Sequence, residues 1–280
     1  MAISINKVSE ETQQQVIEAY KNNMSLRKIE EVFGVTRTTV AKFLEKQGIK
    51  TTKGNHYRKY FHQEDFFEII NNEDKAYWLG FMYADGYISE KRNGYGQDLF
   101  GITLSTEDEN HLLKFKQTIN ATNPITYDDS KNGNKQCRIL LTSQKTVNDL
   151  ISQGCFKHKS LILEPPQKVP NELIFHFIRG YFDGDGSITK TKTPNRNFST
   201  EEYHYGVNIT CTENFAYWLL DFLKLGGSVV KDSRKQKTFY FSLGGHKQVQ
   251  KFYHLLYDNA NIFMDRKKEK FDEFIKYIER

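Results

Sequence analysis

A chain of 280 residues, 38% hydrophobic and 14% aromatic, is long enough for one large domain or two ordinary ones with a real core, and reads as soluble and globular. Forty Lys+Arg against 35 Asp+Glu leave a net charge of +5 and a pI near 8.8, which permits a polyanionic partner without requiring one. Cys137, Cys155 and Cys211 are odd in number, far apart and in no CxxC arrangement, so neither a disulfide framework nor a zinc site is indicated, and the usage suits a reducing cytoplasm, of a bacterial or phage-infected cell, or an organelle; no apolar run of about 18 residues and no signal-peptide core direct the chain to a membrane or out of the cell.

The first 50 residues stand apart. "ETQQQVIEAYKNN" is an amphipathic helix with Val16, Ile17 and Tyr20 on one face. "MSLRKIEEVFGVTRTTVAKFLEKQGIK" then supplies Ser25 as an N-cap, a short helix through Ile29 and Val32, a turn at Gly34, a second cap at Thr36, and a helix carrying Val40, Phe43 and Leu44. This order resembles the resolvase and repressor type of helix-turn-helix, although Glu30 stands where that family has a small residue. The resemblance implies that the third helix enters the major groove and turns Arg37, Thr38 and Thr39 to the bases. The competing reading is a small helical cap. Residues 51–73 mix basic and aromatic residues without a period and read as a linker, in which Lys53, His56, Arg58 and Lys59 can track a phosphate backbone or simply be solvated.

From about Asp74 the chain follows one plan twice, over residues 74–165 and 166–280. "AYWLGFMYADGYISE" (Ala76–Glu90) is matched by "FHFIRGYFDGDGSITK" (Phe175–Lys190): an aromatic-rich apolar run with a glycine inside it, then an aspartate, a glycine and a short strand. After each come a loop, a strand, a helix, two further strands and another helix beginning near Gln144 or Lys247. The expected class is therefore α+β, with two pseudo-symmetric αββαββα halves and a small all-α N-terminal domain.

In a helix, Gly80 and Ala84 lie at i and i+4, as do Gly180 and Gly184, giving each repeat a stripe of small residues that permits close packing. If the two stripes pack together, Asp85 and Asp185 meet at the helix ends, and Gly86 and Gly186 turn the chain into the strands. Two facing carboxylates repel unless a cation lies between them, and Mg²⁺, or Mn²⁺ in its place, suits a site of few carboxylates plus water and phosphate. An EF-hand loop from Asp183 fails, because its sixth position is Ile188 and its twelfth Pro194. A single Asp-Gly ordinarily marks a turn; two, each ending an equivalent helix, argue for a site.

"WLGFMYADG" (Trp78–Gly86) and "IRGYFDGDG" (Ile178–Gly186) resemble the two motifs of single-chain LAGLIDADG homing endonucleases over roughly residues 74–280, with Trp78 in place of the leading leucine, Arg179 at an alanine position, and Tyr83 where the second copy keeps an acid, Asp183. The resemblance implies two four-stranded sheets saddling the DNA major groove, a catalytic divalent metal held by Asp85 and Asp185, and a monomer encoded by a mobile genetic element. It also implies a basic residue near each centre, just before the last helix of each half, for which Lys159 and Lys267 are candidates, with Lys157, Arg266 and Lys268 as adjacent alternatives. DNA contacts are expected from Lys135, Arg138, Lys190, Lys192, Arg196, Lys231, Arg234, Lys235 and Lys237, in strands and loops that form a basic concave face over a long asymmetric target. The function expected is site-specific double-strand DNA cleavage. The alternatives on the same scaffold are an intron RNA maturase, whose partner is RNA, and a DNA-binding regulator that no longer cleaves.

Overall fold

In the computed structural model, which describes residues 5, 8–21, 24–49, 51, 60–89, 98–130, 132–193, 202–235 and 237–279, the N-terminal residues form helices α1 (Glu10–Lys21), α2 (Leu26–Phe33) and α3 (Arg37–Lys46). The Ser25 side chain accepts the Lys28 N–H and caps α2, and Gly34 ends it at φ 67°, a left-handed conformation that costs glycine nothing. Val16, Ile29, Val35, Val40, Phe43 and Leu44 close a small core with Ile5, and Ile17 and Tyr20 pack at its rim. Val32 lies outside it. The inward line of α2 runs through Leu26, Ile29 and Phe33, which leaves Val32 on the outer edge, 54% exposed.

Two compact units divide the chain, residues 1–61 and 62–280. Of the expected linker, residues 52–59, with Lys53, His56, Arg58 and Lys59, lie outside the described residues. Its later part belongs to the larger unit: Phe66, Phe67 and Ile70 are buried, and Gln153 Nε2 donates to the Phe67 and Glu68 carbonyls. These apolar residues lie outside any helix or strand, where burial leaves no periodic pattern for a sequence reading to detect.

The larger unit contains α4 (Glu73–Ala84), β1 (Gly86–Ser89), β2 (Leu99–Ser105), α5 (Glu109–Thr118), β3 (Ile125–Asp129), β4 (Lys135–Thr142) and α6 (Gln144–Ser152), then α7 (Ile174–Asp185), β5 (Gly186–Thr193), β6 (Glu202–Cys211), α8 (Glu213–Leu223), β7 (Ser228–Lys231), β8 (Phe239–Gly244) and α9 (His246–Tyr257). The two series are the same αββαββα plan, and each gives an antiparallel four-stranded sheet of the same order, β1-β2-β4-β3 and β5-β6-β8-β7. A further helix, α10 (Asp265–Ile278), follows the second series; at the corresponding place the first has only a 3₁₀ turn, Lys159–Leu161.

Helices α4 and α7 lie at the centre. Residues Ala76–Tyr83 and Phe177–Asp183 are all buried, so both helices are covered on every side, which explains why α4 is apolar all round rather than amphipathic. They meet with their backbones almost touching: a Cβ on Gly80 would stand 2.0 Å from the Phe177 carbonyl oxygen, and one on Gly180 1.9 Å from that of Tyr77. A Cβ on Gly184 would stand 2.3 Å from that of Ala84. The small stripes thus face each other reciprocally. Gly86 and Gly186 have a different reason from the turn conformation expected of them. Neither has a positive φ; a Cβ there would instead strike Met82 or Phe182 of the preceding helical turn.

Gly180→Ala is expected to destabilise the protein by at least about 3 kcal/mol, at the upper end of the usual range for overpacking because the obstructing atom is backbone and cannot turn aside. Gly244→Ala, with nothing within 4 Å of the new methyl, should change stability by no more than about 0.5 kcal/mol. Denaturant unfolding of the two variants checks the contrast.

Candidate active site

The packed stripes carry the C-terminal ends of α4 and α7 to one place. Asp85, the C-cap of α4, and Asp185, the last residue of α7, are half-buried there, and a Cβ on Gly184 would lie 3.2 Å from Asp85 Oδ2. Burial raises both carboxyls above the usual range. Asp185 is pushed up to about 7, by burial first and by the Asp85 charge second, while Lys159 and Lys267 pull it down.

Those two lysines are buried beside the aspartates, at 7% and 6% exposure. Lys159 Nζ donates to the Ala84 carbonyl at 3.1 Å and to the Gly86 carbonyl; Lys267 Nζ donates to the Gly186 carbonyl. The arrangement repeats across the halves, each ammonium resting on the carbonyl just past its own aspartate. Burial lowers Lys267 to about 8, opposed by the Asp183 charge. The adjacent alternatives are engaged elsewhere: Lys157 lies 3.6 Å from Asp98, Arg266 forks onto Asp108 at 2.8 and 3.0 Å, and Lys268 pairs with Asp272 at 2.7 Å. In one respect the expected placement is corrected. Both lysines follow the last helix of their αββαββα series instead of preceding it, Lys159 in the turn after α6 and Lys267 in the first turn of α10.

Along the two central helices runs a buried polar network that the repeat pattern did not announce. Arg179 is 1% exposed and donates to the Leu256 and Ile262 carbonyls and to Glu73 Oε1, the last at 2.6 Å. Asp183, equally buried, accepts from Tyr77 Oη at 2.7 Å, Tyr257 Oη at 2.6 Å and the Met264 N–H at 2.7 Å. His111 Nε2 lies 3.0 Å from the Tyr77 hydroxyl, and burial holds that imidazole down to about 3, neutral. The signal available beforehand was the departure itself: an arginine and an extra aspartate inside an apolar helix are tolerable only with partners.

The expected DNA contacts divide. Arg58 and Arg196 lie outside the described residues. Arg37 and Thr38 are exposed at the start of α3, where Arg37 pairs with Glu30 at 2.7 Å, and Thr39 bonds Thr36 across 2.6 Å. The basic concave face is not found on the described strands. Cross-strand partners share a face, and Lys190 and Lys192 stand opposite Tyr205 and Tyr203, Lys231 opposite Phe239, and Lys135 opposite Asp129 in the row of buried Cys137 and Ile139. These lysines are therefore on the helix-packed sides, with Lys190 Nζ 4.4 Å from the Tyr203 ring and Lys231 Nζ 6.0 Å from the Phe239 ring. The open faces are largely uncharged, presenting Thr103, Thr126, Gln136 and Arg138 in one sheet and Ser187, Thr189, Asn208 and Ser242 in the other. Arg138 is paired with Asp128 at 2.7 Å. Lys235 and Lys237 are exposed in the β7–β8 connection, with Arg234 beside Asp232.

Among the described residues, no three His, Cys, Asp or Glu side chains form a metal cage. Two carboxylates alone are a hard-oxygen donor set. They fit a Mg²⁺-like ion, which keeps most of its waters and takes phosphate oxygens for the remainder.

Comparison with known proteins agrees with this architecture. Residues 172–256 match the family described as LAGLIDADG-like domain. Among solved structures, the LAGLIDADG meganuclease I-AabMI bound to uncleaved DNA superposes with a TM-score of 0.54 at 15% identity, over 74% of this chain and 90% of that one. The I-LtrWI LAGLIDADG homing endonuclease bound to target DNA gives 0.53 at 11%, over 77% and 90%, and the meganuclease I-SmaMI bound to uncleaveable DNA gives 0.52 at 16%, over 72% and 88%. No curated protein matches by sequence. The chain thus carries a LAGLIDADG-like domain and has the two-fold architecture of the LAGLIDADG homing endonucleases.

Because Asp185 titrates near 7 in the fold but near 3.9 when unfolded, the folded state holds an extra proton between those values, and stability falls as pH rises through that window. Asp185→Asn removes this cost. In thermal unfolding without divalent cations the variant should exceed the wild type at pH 8, by at most about 4 kcal/mol, and show no such gain below about pH 4.

Proposed function

We propose that the protein is a site-specific DNA endonuclease that hydrolyses one phosphodiester in each strand of a long, asymmetric duplex target, acting as a monomer with Mg²⁺ or Mn²⁺. The observation that carries this reading is the paired Asp85/Lys159 and Asp185/Lys267 arrangement, one set from each half, where α4 and α7 end. Two equivalent sets at one locus suit two equivalent scissions. The similar structures of I-AabMI, I-LtrWI and I-SmaMI were solved on DNA, which supports duplex DNA as the substrate.

Asp85 and Asp185 would hold the metal, each with its carboxylate toward one strand. A divalent cation bound there supplies an activated water and charge stabilisation at the phosphate. Lys159 and Lys267, fixed by the Gly86 and Gly186 carbonyls, place positive charge where the phosphate becomes more negative in the transition state. Bases would be read by the uncharged hydroxyls and amides of the open sheet faces, groups that pair with base edges in the major groove. The three-helix unit acts as an accessory helix-turn-helix, with Arg37 exchanging Glu30 for DNA and Thr38 beside it.

Asp85→Asn and Asp185→Asn should each reduce double-strand cleavage by a factor on the order of 10³ while leaving duplex affinity within about threefold, since neither carboxylate is asked to contact bases. The assay uses the duplex recovered from a random library by cleavage selection in Mg²⁺; parallel loss of binding and cleavage overturns the assignment. Affinity should fall with salt at a slope of about −0.9 per neutralised phosphate, and a flat profile would exclude a nucleic-acid partner. A chain starting at Tyr60, which keeps Phe66, Phe67 and Ile70 in their core, should cleave with weaker binding and a footprint shortened at one end only. Loss of cleavage by this folded, DNA-saturated chain would place the three-helix unit in the catalytic machinery.

A further inference from the structure

The position two residues before each aspartate is Tyr83 in one half and Asp183 in the other, a pair with opposite hydrogen-bonding character. Two residues along a helix turn the side chain by about 200°, so this position points away from its aspartate, toward the chain that follows the last helix of its own half. In the first half Tyr83 Oη donates to the Gln153 carbonyl at 2.5 Å, and a Cβ on the adjoining Gly154 would lie 2.1 Å from that hydroxyl. Cys155 Sγ adds a contact to the Met82 carbonyl at 3.5 Å, and the segment then runs on to Lys159. In the second half the polarity is reversed: Asp183 Oδ2 accepts the Met264 N–H at 2.7 Å, and Lys267 follows one helical turn later. Asp183 is itself held by the hydroxyls of Tyr77 and Tyr257.

We propose that Tyr83 and Asp183 are positioning residues, each anchoring the segment that delivers its own half's lysine to the carbonyl beside its own aspartate. The donor in one half meets the carbonyl of Gln153, and the acceptor in the other meets the N–H of Met264, the residue that caps α10, so one helical position performs one task with two chemistries. This rests on the nuclease reading of the site. A residue that merely stabilised the core would slow both strands alike; an anchor slows the strand that depends on its lysine.

The test follows each strand of the selected duplex with separate end labels. Tyr83→Phe should slow one strand by about ten- to a hundredfold, the strand that Lys159→Met slows most, with duplex affinity unchanged. The double variant should be no slower than Lys159→Met alone. Asp183→Asn should do the same on the other strand, with Lys267→Met as its ceiling. Equal slowing of both strands, or a double-variant effect equal to the product of the single ones, overturns the proposal. Hydrogen exchange separates this failure from failure of the nuclease reading. If the wild type cuts nothing, the anchoring still predicts that the Met264 amide exchanges at least about tenfold faster in Asp183→Asn and unchanged in Lys267→Met, and an unchanged Met264 rate in Asp183→Asn overturns it. Should Asp183→Asn not fold, Tyr83→Phe, which loses a single oxygen atom, decides alone, with the Gly154 and Cys155 amides read in the same way.

Discussion

Everything at the centre of the larger unit depends on two helices meeting backbone to backbone. Gly80 and Gly180 each face a carbonyl oxygen of the opposite helix with no room for a methyl group, and this closeness brings Asp85 and Asp185 together. Two consequences follow from electrostatics. Helix C-termini are the negative ends of their macrodipoles, so the geometry that joins the carboxylates also joins two rows of unsatisfied carbonyls. Such a locus repels anions and gathers cations. Lys159 and Lys267 answer part of that demand by donating to the Gly86 and Gly186 carbonyls, although their burial costs them solvation, as the depressed Lys267 shows.

The polar residues around the pair solve a second problem, which is how to close two halves over a core of aromatic side chains without losing register. Glu73 at the start of α4 accepts from Arg179 of α7 and from the Asn261 N–H and Nδ2, joining the first half's central helix to the approach to α10. Lys114 of α5 reaches the Phe263 carbonyl and Asp265, and Arg266 forks onto Asp108. Of these, only Arg179–Glu73 is buried; such a pair contributes little net stability against an apolar substitute of the same shape, but breaking it leaves an unpaired charge inside. The halves share a plan but differ in how they end, with a short turn in the first and an anchored helix in the second.

The sequence made the central features legible because they are local and repeated. The order of elements along each half and the stripes at 80/84 and 180/184 follow from spacing and repetition, and the duplication turned an ordinary Asp-Gly turn into a paired site. What stayed hidden was of three physical kinds. Phe66, Phe67 and Ile70 are buried without periodicity, so the larger unit's beginning resembled a linker. Tyr77, Tyr257 and Met264 meet Asp183 from different elements, and no single-chain pattern records which donors will find a buried acid. The lysines of the strands were read by type without their parity. Lys190 is opposite Tyr205 and Lys231 opposite Phe239, so a period of two assigns them to the helix side.

That parity changes how recognition would be divided. A face rich in lysine binds any duplex through phosphates, with affinity that salt dissolves and sequence hardly affects. Hydroxyls and amides such as those of Thr103, Gln136, Ser187, Asn208 and Ser242 attract weakly at long range but distinguish donors from acceptors at contact. Of the DNA contacts expected in the larger unit, Lys235 and Lys237 lie exposed in a connection beyond the strands, where they meet a backbone more readily than base edges. Affinity and discrimination would then reside in different residues. Under this division, the neutral faces would read sequence while the connections and the exposed start of α3 would supply electrostatic attraction, so altering one should leave the other largely intact.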